Sequence, residues 1–92
     1  MRILWSSTAW ADIDRLHAFL EERDPDAADA VFDRLANAPS KLLEFPRRGS
    51  RLSRFDPQDV RELRVGAYTL RYELVEADVR VVRFFHAKEE RG

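Results

Sequence analysis

Two groups of side chains in this sequence have the types and spacing to do chemistry. The first is a run of arginines, Arg47, Arg48, Arg51 and Arg54, in a stretch punctuated by Pro46, Gly49 and Pro57. Arginine forks match the geometry of phosphate and carboxylate, so such a loop could hold a nucleic-acid backbone or an acidic protein surface. A solvated loop has the same composition. The second group is His86 with Lys88 and Arg91. Neighbouring cations discourage imidazole from protonating, which would suit a base working near neutral pH. A histidine closing a strand and bonded to backbone fits the same position. No Ser/His/Asp order and no ligand spacing for a metal accompanies either group. Cysteine is absent and His17 and His86 are the only histidines, which argues against disulfides, thiolate sites and zinc. His17 reads as structural or solvated, on a helix face opposite the acidic residues. Asp24, Asp26 and Asp29 suit a helix N-terminus without a metal, and no cofactor is expected.

The elements that must position these groups follow from the hydrophobic pattern. Arg2 to Trp5 is a short apolar run that reads as a strand. Ser6, Ser7 and Thr8 offer caps to a helix whose stripe is Ile13, Leu16, Phe19 and Leu20, ending near Glu22. Asp24-Pro25 stops that helix and starts another, with Ala28, Val31, Phe32 and Leu35 on its apolar side. The short connection makes the two an antiparallel hairpin. Pro39 ends or kinks the second helix, and Leu42, Leu43 and Phe45 are expected to pack inward. After the loop of residues 46–58, strands are expected at 59–65, 68–75 and 79–86, turning at Gly66-Ala67 and at Glu76-Ala77-Asp78. The last, apolar on both faces, belongs in the sheet interior. The fold class is α+β: an N-terminal strand, a helical hairpin, and a three-stranded antiparallel meander in one mainly antiparallel sheet. The hairpin covers one face, and Thr69, Arg71 and Glu73 should point to the other. The aromatic residues Trp5, Trp10, Tyr68, Tyr72, Phe84 and Phe85 mostly alternate with core positions, which favours core packing over base stacking.

Composition sets the bounds. The 92 residues form one domain, residues 1–92, with a net charge of −1. Residues 1–45 carry five Lys/Arg against nine Asp/Glu and the remainder eleven against eight. That asymmetry allows a local basic face in a protein too acidic overall for a dedicated nucleic-acid binder. No apolar run approaches the roughly 20 residues of a membrane span and no signal peptide is evident, so the cytoplasm is expected and no membrane partner.

The order of parts resembles the RelE/ParE superfamily of toxins from bacterial type II toxin–antitoxin modules. The resemblance is carried by the capped helix Ser7-Thr8-Ala9-Trp10-Ala11-Asp12-Ile13-Asp14-Arg15-Leu16-His17-Ala18-Phe19-Leu20 and by the loop Leu43-Glu44-Phe45-Pro46-Arg47-Arg48-Gly49. It continues through Val60-Arg61-Glu62-Leu63-Arg64-Val65-Gly66-Ala67-Tyr68, Tyr72, and Phe85-His86 followed by Lys88 and Arg91. It spans nearly the whole chain, and the order of these short motifs is more specific than any one of them. RelE-like members are ribosome-dependent endonucleases of messenger RNA. Their sites place basic residues on the second strand, an arginine directly after the hairpin tyrosine, another after the last strand and a tyrosine beyond it. Here the corresponding positions hold Val60, Glu62 and Thr69, and no tyrosine follows Tyr72. A glutamate would repel a phosphate by on the order of a kcal/mol at partial exposure. The resemblance therefore implies a ParE-like toxin that inhibits DNA gyrase by binding. A cognate antitoxin, a ribbon–helix–helix or similar DNA-binding protein, would neutralise it in a hetero-oligomer. Contacts to the target or antitoxin are expected at Arg47, Arg48, Arg51, Arg64, His86, Lys88 and Arg91. The alternative is a RelE-like endonuclease with a degenerate site of Arg64, His86, Lys88 and Arg91, and a third is a non-toxic binding module that kept the fold.

Overall fold

A computed structural model describes residues 1–89. Strand β1 (Arg2–Trp5) leads into helix α1 (Ser7–Glu21), capped by the Ser6 hydroxyl, which accepts from the Ala9 N–H at 2.9 Å. Helix α2 (Pro25–Asn37) starts as its sequence implies: the Asp24 carboxylate accepts from the Ala27 N–H at 3.2 Å and Pro25 takes the first turn, where no N–H is needed. A 3₁₀ segment (Ala38–Leu43) continues from it. Leu42 packs fully inward from that segment, but Leu43 and Phe45 do not: they are 45% and 59% exposed. Three residues per turn set Leu43 about 120° from Leu42, and Phe45 lies past the end of the segment.

The expected loop contains a two-residue strand, β2 (Ser50–Arg51), followed by a 3₁₀ turn at Ser53–Phe55. Then come β3 (Asp59–Val65), β4 (Tyr68–Val75) and β5 (Asp78–His86), so Asp78 belongs to the strand and the turn is tighter than expected. The sheet is five-stranded, in the order β1-β5-β4-β3-β2, with only the β1–β5 pair parallel. The α+β architecture with a mainly antiparallel sheet is thus present. Both hairpin turns adopt positive φ, at Gly66 (62°) and at Glu76 (55°).

One face of the sheet packs on the helices. Leu70, Tyr72, Val79, Val81 and Phe84 meet Ile13 and Leu16 of α1 and Leu35 of α2 in the core. β5 lies between β1 and β4, and it carries a bulge. Tyr72 lies opposite Val81 and Arg71 opposite Arg83, so Val82 has no partner across the ladder. The bulge shifts the alternation. Val79, Val81 and Phe84 all face the helices, while Arg83 turns to the open side with Phe85. Beyond β1 the outer edge of β5 is covered by α1 instead of a strand. The Ser6 hydroxyl donates to the Val82 carbonyl at 2.9 Å, and the Asp12 carboxylate accepts the Phe84 N–H at 3.0 Å.

Candidate interaction surface

The open face of the sheet holds a cleft of about 410 Å³ lined by Arg15, Arg71, Arg83, Phe85 and Glu89. The arginines there are already engaged. Arg71 contacts the Glu62 carboxylate at 2.7 and 2.8 Å, with both side chains mostly buried. Its guanidinium lies 5.5 Å from the Phe55 ring and 5.3 Å from that of Phe85, within cation–π range of each. Arg83 forks onto Asp12 at 2.7 and 3.1 Å, and the hydrogen bond to Asp12 raises the Arg83 pKa. Asp12 is buried and accepts from Arg83 and from the Phe84 N–H. Arg15 meets Glu89 at 2.9 Å. The Glu89 pKa is lowered, first by the hydrogen bond it accepts from the His86 N–H at 2.8 Å and then by Arg15. Every arginine of the cleft therefore has a carboxylate beside it. Sequence reasoning singled out none of Arg15, Arg71 and Arg83 as functional.

A second hollow of about 410 Å³ lies between α2, the 3₁₀ segment and the end of β3. Arg34, Lys41, Arg48 and Arg64 line it, with Asp33 as its one acid and Ala38, Leu63 and Val65 as its apolar part. Among the described residues, none of these four cations has a carboxylate within 4.0 Å or donates a side-chain hydrogen bond to the protein. Two local devices place them. The loop bearing Arg48 is pinned to the sheet by Tyr72, whose hydroxyl donates to the Pro46 carbonyl at 2.7 Å and accepts the Gly49 N–H at 2.8 Å. Arg61 adds bonds to the Arg47 and Gly49 carbonyls at 3.2 and 3.0 Å. Arg34 lies over the β3–β4 turn, where a Cβ on Gly66 would come within 3.0 Å of its Nη1.

The residues expected to contact a partner are not brought together. Arg48 and Arg64 share the groove just described. Arg47 and Arg48 border a larger hollow, about 910 Å³, with Met1, Phe45, Pro46 and Leu74, and with the acids Glu44, Asp59 and Glu76. Arg51 faces its own loop, at 3.1 Å from Asp56 and 3.8 Å from Asp59. Arg54 is exposed beside Phe55. His86 and Lys88 line a hollow of about 440 Å³ with Leu16, Phe19 and Leu20 of α1, with Tyr68, and with Arg15 and Glu89, which it shares with the open-face cleft. His86 Nδ1 accepts the Lys88 N–H at 3.1 Å and its ring meets Tyr68 edge-on. A neutral imidazole so bonded carries its hydrogen on Nε2. Through its register with Tyr68, His86 sits on the helix side of β5, whereas Phe85 and Arg83 face the open cleft. Arg91 lies outside the described residues.

Of the expected open-face residues, Arg71 is there. Thr69 is 4% exposed and offers no free surface. His17 does not stand opposite acidic residues. It bridges the hairpin, with Nε2 3.0 Å from Asp29 and Nδ1 3.5 Å from Glu21. These three side chains bring possible ligand atoms within 4.8 Å of one another. The carboxylates and the imidazole already bond to each other, so the trio works as a clasp between α1 and α2.

Comparison with known proteins agrees with this architecture. Residues 3–91 match the family described as ParE toxin of type II toxin–antitoxin system, parDE. The chain is 36% identical to Toxin RelE1 of Caulobacter vibrioides, over 97% of this chain and 96% of that protein. It is 32% identical to Toxin RelE2 of the same organism, over 94% of each. In fold it is similar to a chain of the chromosomal ParDE TA system from P. aeruginosa, with a TM-score of 0.78 at 17% identity, covering 94% of this chain and 95% of that one. With sequence and fold in agreement, the chain belongs to the ParE toxin family of type II toxin–antitoxin systems, within the RelE/ParE superfamily.

Proposed function

We propose that this toxin acts by binding DNA gyrase and does not cut RNA, and that a cognate DNA-binding antitoxin neutralises it in the cytoplasm. One observation carries the reading: among the described residues the sheet's clustered arginines, Arg71 and Arg83, are tied to Glu62 and Asp12 and face away from His86, the candidate base. Cleaving a phosphodiester needs a base at the 2′-hydroxyl and cations at the same phosphate, all within a few ångströms. His86 faces α1, while Arg71 and Arg83 face the open cleft and are held by Glu62 and Asp12. Glu62 stands where a nuclease of this superfamily would carry a cation, and it anchors Arg71 instead. No helix is long and apolar enough to cross a membrane among the described residues.

The names of the Caulobacter relatives favour a second reading, a RelE-like endonuclease. Purified toxin assayed side by side on gyrase supercoiling and on ribosome-bound messenger separates the two. Inhibited supercoiling with intact messenger is the expected outcome. Messenger cleavage that disappears in His86→Ala would overturn the gyrase reading.

A further inference from the structure

We propose that the clasp joining α1 to α2 is also a site for a divalent transition-metal ion of zinc's class, held by His17, Glu21 and Asp29. Four observations converge on it.

The first is the donor set and its spacing. His17 and Glu21 stand four residues apart on α1, and so on one face of it. Asp29 reaches across from α2, so the ligands come from both arms of the hairpin. One ligand atom from each residue lies within 4.8 Å of the other two, and His17 Nε2 is 3.0 Å from Asp29 Oδ1. Zinc bonds of about 2.0–2.2 Å set the ligand atoms of a tetrahedron roughly 3.4 Å apart, so a carboxylate movement of about 1 Å closes the site. The side chains of Glu21 and Asp29 are 59% and 78% exposed, which leaves them free to make it. The imidazole gives one nitrogen to the ion and keeps the other, as N–H, for a carboxylate or water. A nitrogen with two carboxylate oxygens suits zinc, nickel or cobalt better than magnesium, which takes oxygen alone.

The second is charge. Among the described residues, no lysine or arginine lies within 4.0 Å of the carboxylates of Asp14, Glu21 or Asp29. The cation of the connecting turn, Arg23, is spent on Phe19: it donates to the Phe19 carbonyl at 2.9 Å and lies 3.8 Å from the ring. A neutral imidazole leaves the acids around it without a counter-charge, and a doubly charged ion supplies one.

The third is support for the ring. His17 meets Phe32 of α2 edge-on, with centroids 5.5 Å apart. Phe32 follows Asp29 by three residues, so one face of α2 both props the imidazole and supplies a ligand. A ring already held between its co-ligands loses little freedom on binding.

The fourth is the contrast with His86. Its Nδ1 is taken by the Lys88 N–H, and the acid beside it, Glu89, is taken by Arg15 and the His86 N–H. The chain thus carries one histidine placed for a metal and one that is not. Counting histidines along the chain argues against zinc, but a site of one histidine and two carboxylates is assembled only when the hairpin closes.

Only the folded hairpin brings the three ligands together, so the ion should stabilise the fold by mass action and hold α1 against α2. The outcome of the supercoiling assay has no bearing on this.

The test uses full-length, tag-free toxin stripped of metal, at about pH 8, where protons compete least for the ligands. Zinc chloride should raise the melting temperature by about 5 °C at a tenfold excess over Kd, and nickel chloride should act likewise. Magnesium chloride should leave it unchanged. The amides of Arg23 and Asp24, which donate to the Leu20 carbonyl at 2.9 and 2.7 Å, should exchange more slowly with zinc present. His17→Gln should abolish the shift, Asp29→Asn should weaken zinc binding roughly tenfold or more, and His86→Gln should keep the parent's response. If His17→Gln does not fold, Asp29→Asn carries the test with the same expected direction. The absence of a zinc shift in the parent overturns the proposal, as does its persistence in His17→Gln or its equal loss in His86→Gln. An equal shift with magnesium would reduce the clasp to a pool of negative charge and overturn it as well.

Discussion

The two arginine groups differ in what already surrounds them. Arg15, Arg71 and Arg83 each face a carboxylate, and one of these, Asp12, is buried. Arg34, Lys41, Arg48 and Arg64 have no carboxylate within 4.0 Å among the described residues, although Asp33 lines the same groove. The same residue type thus serves two ends. In the open-face cleft the guanidinium is structural, and it tethers α1 to β5 and β3 to β4. In the groove it is held in place by backbone hydrogen bonds and turn geometry, which leaves its charge available. A cation that the fold requires is a poor candidate for a partner, because drawing it away would undo the fold that carries it.

The largest expected effect strikes the paired group. Asp12→Ala leaves the Phe84 N–H without an acceptor at a buried strand edge and frees Arg83. The cost should be about 2–3 kcal/mol of unfolding free energy, read by urea denaturation. A loss near zero would mean that the pairing is incidental and would erase the distinction. Tyr72→Phe comes next. It removes the donor to Pro46 and the acceptor for Gly49 at a fully buried side chain, costing about 1–2 kcal/mol. Because that hydroxyl anchors the loop bearing Arg48, amide exchange in residues 46–49 should rise as well, linking the core to the free group. Gly66→Ala is smaller, about 1 kcal/mol by the same denaturation, since φ of 62° strains any residue with a Cβ. A Cβ there would also push the Arg34 guanidinium aside.

The helices, the meander and the sheet's mainly antiparallel character were readable because caps, prolines and alternation coincide at Ser6, Asp24-Pro25 and Leu70-Tyr72. The site was less readable, for physical reasons that can be named. Arg83 follows Val79 and Val81 at even spacing, so simple alternation would bury it with them. Only the bulge at Val82 turns it outward, and no residue type in the strand signals that bulge. Asp12 looked like one more polar residue of a helix, and its value comes from a strand edge 72 positions away. β2 is too short to show a period. The free groove was half visible: Arg48 and Arg64 stood out in their loop and strand, but Arg34 and Lys41 join them only when α2 folds over the β3–β4 turn.

Titration offers the smallest effect and a further way to sharpen the contrast between spent and available charge. The His17 pKa is raised above its ordinary value of about 6.5, chiefly by its hydrogen bond to Asp29, with Glu21 and Asp14 adding to the shift. A group whose folded pKa is raised stabilises the fold fully below the unfolded value and loses that contribution as pH rises through the folded one. The melting temperature should therefore decline slightly from about pH 6 upward through neutrality, and His17→Gln should flatten that decline. Arg64→Gln, a change in the groove, should leave that decline as the parent shows it. If Arg64→Gln flattened the decline as well, the hairpin clasp and the groove would be one coupled unit, and the division between charge that builds the fold and charge left unpaired would fail.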